Sequence, residues 1–131
     1  MPRKAFMIRE ELEELANKTI GIAISIHRQL GPGFAEKIYQ RVLYLELKKQ
    51  KIPLNREHKI TVYWNKTVVG YHVIDFLIAE ELLVELKATG ETQDIHKSQL
   101  LSYLKAADKR LGLLLNFGSP VLGIKRVVNK L

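Results

Sequence analysis

Two short runs constrain this chain more than anything else in it: "VIDFLIA" at 73–79 and "LLVELKA" at 82–88, joined by Glu80 and Glu81. Both have the aliphatic, β-branched composition of buried strands. Each nevertheless carries ionisable residues in its middle, Asp75 in the first and Glu85 with Lys87 in the second. An unpaired buried charge costs several kcal/mol, so the compensation must be a salt bridge, a metal ion or an edge position that reaches water. Strand alternation puts Glu85 and Lys87 on one face and Val84, Leu86 and Ala88 on the other. If the Asp75 strand pairs beside them, two carboxylates and a lysine converge on one patch.

Such a patch has a definite chemistry. Paired carboxylates bind Mg²⁺ or Mn²⁺, hard ions that keep several waters and accept substrate phosphate oxygens alongside a few protein oxygens. A neighbouring lysine can align the attacking water and offset charge on the phosphate. The competing reading is an Asp75–Lys87 salt bridge on a half-exposed sheet face.

The rest of the chain supplies the frame. "EELEELANKTIGIAISIHRQL" places Leu12, Leu15, Ala16, Ile20, Ala23, Ile24 and His27 at helical spacing, with an acidic first turn. "GPG" at 31–33 stops that helix and lets the backbone come near other elements. A second helix starts near Phe34 and ends in "LKKQK" before Pro53, with Ile38, Val42 and Leu45 as its apolar stripe and Leu43 and Leu47 as further candidates. "HKITVYW" and "TVVGYHVIDFLIA", separated by "NK", read as a hairpin. "ELLVELKA" is a third strand. A third helix follows, capped by Thr92 or Asp94, with Ile95, Leu100, Leu101 and Leu104 apolar. "LGLLLNFG" reads as a strand buried on both faces, parallel to the third across a helical crossover, and "GIKRVV" as a short edge strand. The expectation is one α/β domain over 1–131, a mixed central sheet flanked by helices, with an extra N-terminal helix.

Further polar residues share faces with this frame. His96, Gln99 and Tyr103 fall at three- and four-residue steps along the third helix, and Glu36 and Tyr39 are three apart in the second. "D" at 75, "ELK" at 85–87 and "QLLSY" at 99–103 resemble the PD-(D/E)xK nuclease superfamily, with Q-x-x-x-Y as in its RecB-like branch. "LGPGFAEKIYQ", with Gly33, Glu36 and Tyr39, is similar to the signature of the small GxxExxY proteins, as are "VELKA", "HKSQLLSYLK" and "GLLLNFG" in the same order. Ile74 stands where the superfamily name has proline. The resemblance implies a restriction-endonuclease-like αβββαβ core and metal-dependent phosphodiester cleavage. It assigns Glu36, Asp75, Glu85 and Lys87 to catalysis, Asp75, Glu85 and Glu36 to the metal, and Gln99 and Tyr103 to support, with Tyr39 at a named position of the signature. His96, on the same helix face as Gln99 and Tyr103, is a further supporting candidate for a phosphate contact. Four of these residues also have a plainer reading: Glu36 as a first-turn glutamate suits the helix dipole, Tyr39 and Tyr103 suit packing with a hydrogen-bonding tip, and His96 suits a structural histidine with its hydrogen bonds satisfied.

Charge adds a partner class. The formal net charge is +7, with +5 in the last 31 residues and a slightly acidic middle third, a distribution that fits a polyanion approached through a divalent cation. DNA is the expected partner, with Lys97, Lys125 and Arg126 as its contacts, although a basic surface also serves solubility alone. No cysteine is present, which excludes disulfides, thiolate metal sites and a cysteine nucleophile. The absence of a long apolar run and of an N-terminal h-region points to a cytoplasmic protein without membrane contact. A homodimer would match the two strands of a duplex. The alternative function is a nucleic-acid-binding or partner-binding module on the same fold that has lost turnover.

Overall fold

The computed structural model describes residues 6–92 and 94–131. Helices α1 (Arg9–Leu30) and α2 (Glu36–Lys49) precede strands β1 (Leu54–Trp64), β2 (Thr67–Ile78) and β3 (Leu82–Lys87); helix α3 (Asp94–Ala107) then leads to β4 (Leu111–Asn116) and β5 (Gly123–Val128). The expected mixed sheet with flanking helices is present. Its strand order is β1-β2-β3-β4-β5, with β3 and β4 parallel and every other pair antiparallel. Among the described residues no helix is long and apolar enough to cross a membrane.

Local chemistry explains the boundaries. The β1–β2 hairpin turns at Asn65 and Lys66, whose φ values of 48° and 68° are those of a primed turn matched to strand twist. Ala79 and Glu80 turn the chain from β2 into β3 in the same left-handed region. At the end of α1, Gly31 and Gly33 take φ values of 68° and 116°. A Cβ at either would meet nothing within 4 Å. Their glycine character thus serves backbone conformation, and the close approach expected of "GPG" is absent. Residue 93, immediately before α3, lies outside the described residues, so the cap expected at Thr92 or Asp94 is not assigned; Asp94 is the first helical residue.

Helices cover both faces of the sheet. On one side α1 and α2 pack on Phe76, Ile78, Val84, Leu86, Leu113 and Leu115. On the other, Leu100 and Leu104 of α3 pack on Ile60, Ile74, Leu77, Leu83, Leu114 and Val127. All of β4 is buried, as a strand sandwiched between two helical layers must be. The stripe of α2 differs from the expected one: Tyr39, Leu43 and Leu47 are fully buried, whereas Leu45 is 60% exposed and Ile38 is also exposed. Residues four apart from Tyr39 onward form the inward row, and Leu45 falls on the outer side of it. Ile95, expected in the stripe of α3, is likewise exposed.

Candidate functional site

The site lies where β2 and β3 part. Their ladder runs from Ile78↔Leu82 to Phe76↔Val84 and goes no further. In β1, the residue between the pairs Arg56↔Phe76 and His58↔Ile74 is Glu57, at φ 54°. The strand alternation slips here: Ile74 and Leu77, three residues apart, both face the α3 layer. The next rung is made by side chains. The Asp75 N–H donates to Glu85 Oε1 at 3.2 Å, and the Leu86 N–H donates to Asp75 Oδ2 at 2.8 Å. Two carboxylates thereby replace the backbone acceptors that the diverging strands have lost.

Each carboxylate comes from its own side. Asp75 is held from the α2 side, where Gln40, itself buried, donates its amide to Oδ1 at 2.6 Å. Glu85 alternates with Val84 and Leu86 and so lies towards α3, with Oε2 at 3.6 Å from His72 Nε2. The His72 ring stacks on Tyr103 of α3 at 3.8 Å between centroids, and Nε2 is buried without a hydrogen-bond partner among the described residues.

Electrostatics follow from this crowding. Burial, and then the neighbouring Asp75 carboxyl, push Glu85 up to about 9 against the pull of Lys87. Glu36, at the exposed start of α2, is raised by partial desolvation and by Asp75, with Lys87 and Lys37 opposing. Desolvation and Lys87 lower His72, with Asp75 opposing. Burial and then Glu85 raise the Tyr103 phenol. Asp75, Glu85, Glu36, Lys87, His72 and Tyr103 thus act on one another. Lys87 makes no ion pair within 4 Å among the described residues, so the Asp75–Lys87 salt bridge is not the compensation this fold uses.

The remaining sequence candidates scatter. Tyr39 is a core residue, stacked on Phe117 at 4.6 Å, its hydroxyl donating to the Gly31 carbonyl at 2.6 Å and accepting from the Phe34 N–H at 3.2 Å. It holds the loop that presents Glu36. Gln99 is exposed one turn before Tyr103, Lys97 is exposed, and His96 is half-buried near the start of α3. Lys125 and Arg126 do not form one patch: opposite Leu114 and Leu113 they point to different faces of the edge strand β5, and Arg126 is paired with Glu13 of α1. Among the described residues no three His, Asp or Glu side chains are gathered into one cluster; Glu36 lies at the exposed start of α2, beside the Asp75–Glu85 pair.

Sequence reasoning missed Gln40 and His72. Gln40 had a usable signal, one helical turn after Glu36 and therefore on its face. His72 had none, because its partner Tyr103 comes from a distant helix.

A family model described as the PD-(D/E)XK nuclease superfamily matches residues 13–127 of the chain. A solved structure described as the crystal structure of SSO0001 superposes with a TM-score of 0.57 at 19% identity, over 93% of this chain and 59% of that one. At this identity the likeness is one of fold, and this chain spans 59% of the length of that protein. No match is found among curated proteins.

Proposed function

Because the chain belongs to the PD-(D/E)XK nuclease superfamily, we propose that it is a divalent-metal-dependent nuclease that hydrolyses phosphodiester bonds in DNA, within the GxxExxY group that Gly33, Glu36 and Tyr39 suggest. The observation that carries the reading is the carboxylate rung, two acids held together at the point where the sheet splits. Such an arrangement is costly without a cation, because burial and the adjacent Asp75 carboxyl both disfavour the ionised form of Glu85.

The donor set suits Mg²⁺ or Mn²⁺. Asp75 and Glu85 offer only oxygen, and such ions need one or two carboxylates, taking their remaining ligands from water and substrate phosphate. Bound there, the ion would supply Lewis-acid charge and a more acidic water. Asp75 is ready for that task because Gln40 and the Leu86 N–H fix its carboxylate while each oxygen keeps a second lone pair. Glu85 must release its proton to take part. Lys87, close enough to perturb Glu36, Glu85 and His72 and tied to none, has its ammonium available for a phosphate oxygen or a water. Glu36, exposed at the helix start, would orient solvent on the α2 side.

The test is a panel of labelled duplex, single-stranded, flap and four-way DNA with Mg²⁺ and with Mn²⁺. Cleavage of at least one member, abolished by EDTA and by Asp75→Asn, is expected. A chain that binds these substrates and cuts none overturns the proposal and leaves a binding module.

A further inference from the structure

The outer part of the β1–β2 hairpin has one covered face and one bare face. Ile60 and His72 lie under α3. On the opposite face, by strand alternation and the observed register, lie Lys59 and Thr61 of β1 and, across from them, Val73 and Tyr71 of β2; the register shifts between Val62 and Tyr63, and Tyr63 and Trp64 follow at the end of β1 next to the hairpin turn. Tyr63 is 62% exposed and Tyr71 63%, with Val68 and Val73 also exposed. Among them the Lys59 ammonium sits 4.4 Å from the centre of the Tyr71 ring. So much aromatic surface in water calls for a partner.

We propose that this face is a stacking platform for unpaired nucleobases, which makes single-stranded nucleic acid, or the unpaired part of a branched one, the substrate class. The proposal rests on the nuclease reading for what happens at Asp75, and on the hairpin alone for binding. Aromatic rings joined to cations are what an unpaired strand requires: every base has a face to stack and every phosphate a charge to neutralise. Lys59 with Tyr71 combines both. The platform also leads to the carboxylates. Tyr71, Val73 and Asp75 alternate on one side of β2, so Tyr71 stands roughly 13 Å from Asp75 along the strand, about two nucleotides of an extended chain. Duplex DNA hides its base faces and gains nothing from these rings.

Charge decides against a second copy as the occupant. A two-fold pairing across this face would set equivalent lysines of two chains, each of net charge +7, near each other. A polyanion is attracted by the same residues.

The experiment is binding of fluorescent single-stranded and duplex DNA 20-mers by the full chain in EDTA, where cleavage plays no part. Wild type should bind the single strand more tightly than the duplex. Tyr63→Ala with Tyr71→Ala should lower single-strand affinity at least tenfold and change duplex affinity less than twofold; Tyr71→Phe, which keeps the ring, should restore most of Tyr71's share. Lys59→Ala should reduce the slope of log affinity against log salt by about 0.7. The single tryptophan, Trp64, 72% exposed at the hairpin tip, should report binding by quenching. Equal losses on both DNAs, or none, would overturn the platform, as would a wild-type dimer in sedimentation that Tyr71→Ala dissociates. Failure to cut any DNA with Mn²⁺ would strike the nuclease reading and leave these affinities unchanged.

Discussion

At Lys87 the two readings of the central patch make opposite demands. A lysine that neutralised a buried carboxylate would be structural, and its loss would leave an uncompensated charge. Here it is paired with nothing within 4 Å among the described residues. Lys87→Ala should therefore melt close to wild type and still gain stability from Mn²⁺, while cleavage falls about a hundredfold or more, the usual cost of losing charge stabilisation that develops in the transition state. Thermal melts paired with single-turnover rates check this. Gln40→Ala should behave in the reverse manner. It removes a hydrogen bond to a charged oxygen inside a buried setting and should cost about 1.5–3 kcal/mol, read from urea unfolding in EDTA. The sequence displayed Asp75, Glu85 and Lys87 plainly, since their alternation in apolar runs needs no knowledge of the fold. Gln40 and His72 were not displayed, because a polar residue on a helix or strand acquires its meaning from what packs against it.

Element by element, legibility followed periodicity. The helices, the hairpin, the parallel crossover and the edge strand all stood in the pattern of apolar residues and turn formers. What the pattern left undecided was rotation about the axis of α2, where Ile38, Val42 and Leu45 describe one stripe and Tyr39, Leu43 and Leu47 another. Tertiary packing settles it, since Tyr39 can stack on Phe117 only from the second row. Two substitutions compare the rows. Tyr39→Phe keeps the stack but strips the Gly31 carbonyl and the Phe34 N–H of their partner; a loss of about 1–2 kcal/mol should appear as a melting temperature lower by roughly 3–8 °C. Leu45→Ala, on an exposed position, should stay within about 0.5 kcal/mol of wild type.

Across the whole molecule, the split sheet couples protonation to stability and, on the proposed function, to metal binding. Glu85 is pushed up to about 9 in the fold and returns to an ordinary carboxylate value on unfolding. Between those values the folded chain holds a proton that the unfolded chain has released, so stability present below the unfolded pKa is lost as pH rises towards 9. Glu36, raised by partial burial, acts in the same direction nearer its ordinary range. His72, lowered from 6.5, acts oppositely, and only below that value. From pH 7 to 9 Glu85 therefore dominates among these groups. In EDTA the melting temperature should decline over that interval, and Glu85→Gln, a neutral side chain of the same shape, should flatten the decline. On the proposed function a divalent cation would displace the same proton, so its binding would release a proton and strengthen with pH. The increment that Mn²⁺ adds to the wild-type melting temperature should accordingly grow from pH 7 to 9, and Glu85→Gln should show a small, pH-independent increment. An apo protein whose stability is level from pH 7 to 9, or a Mn²⁺ increment that ignores pH, would mean that the Asp75–Glu85 rung does not share a proton.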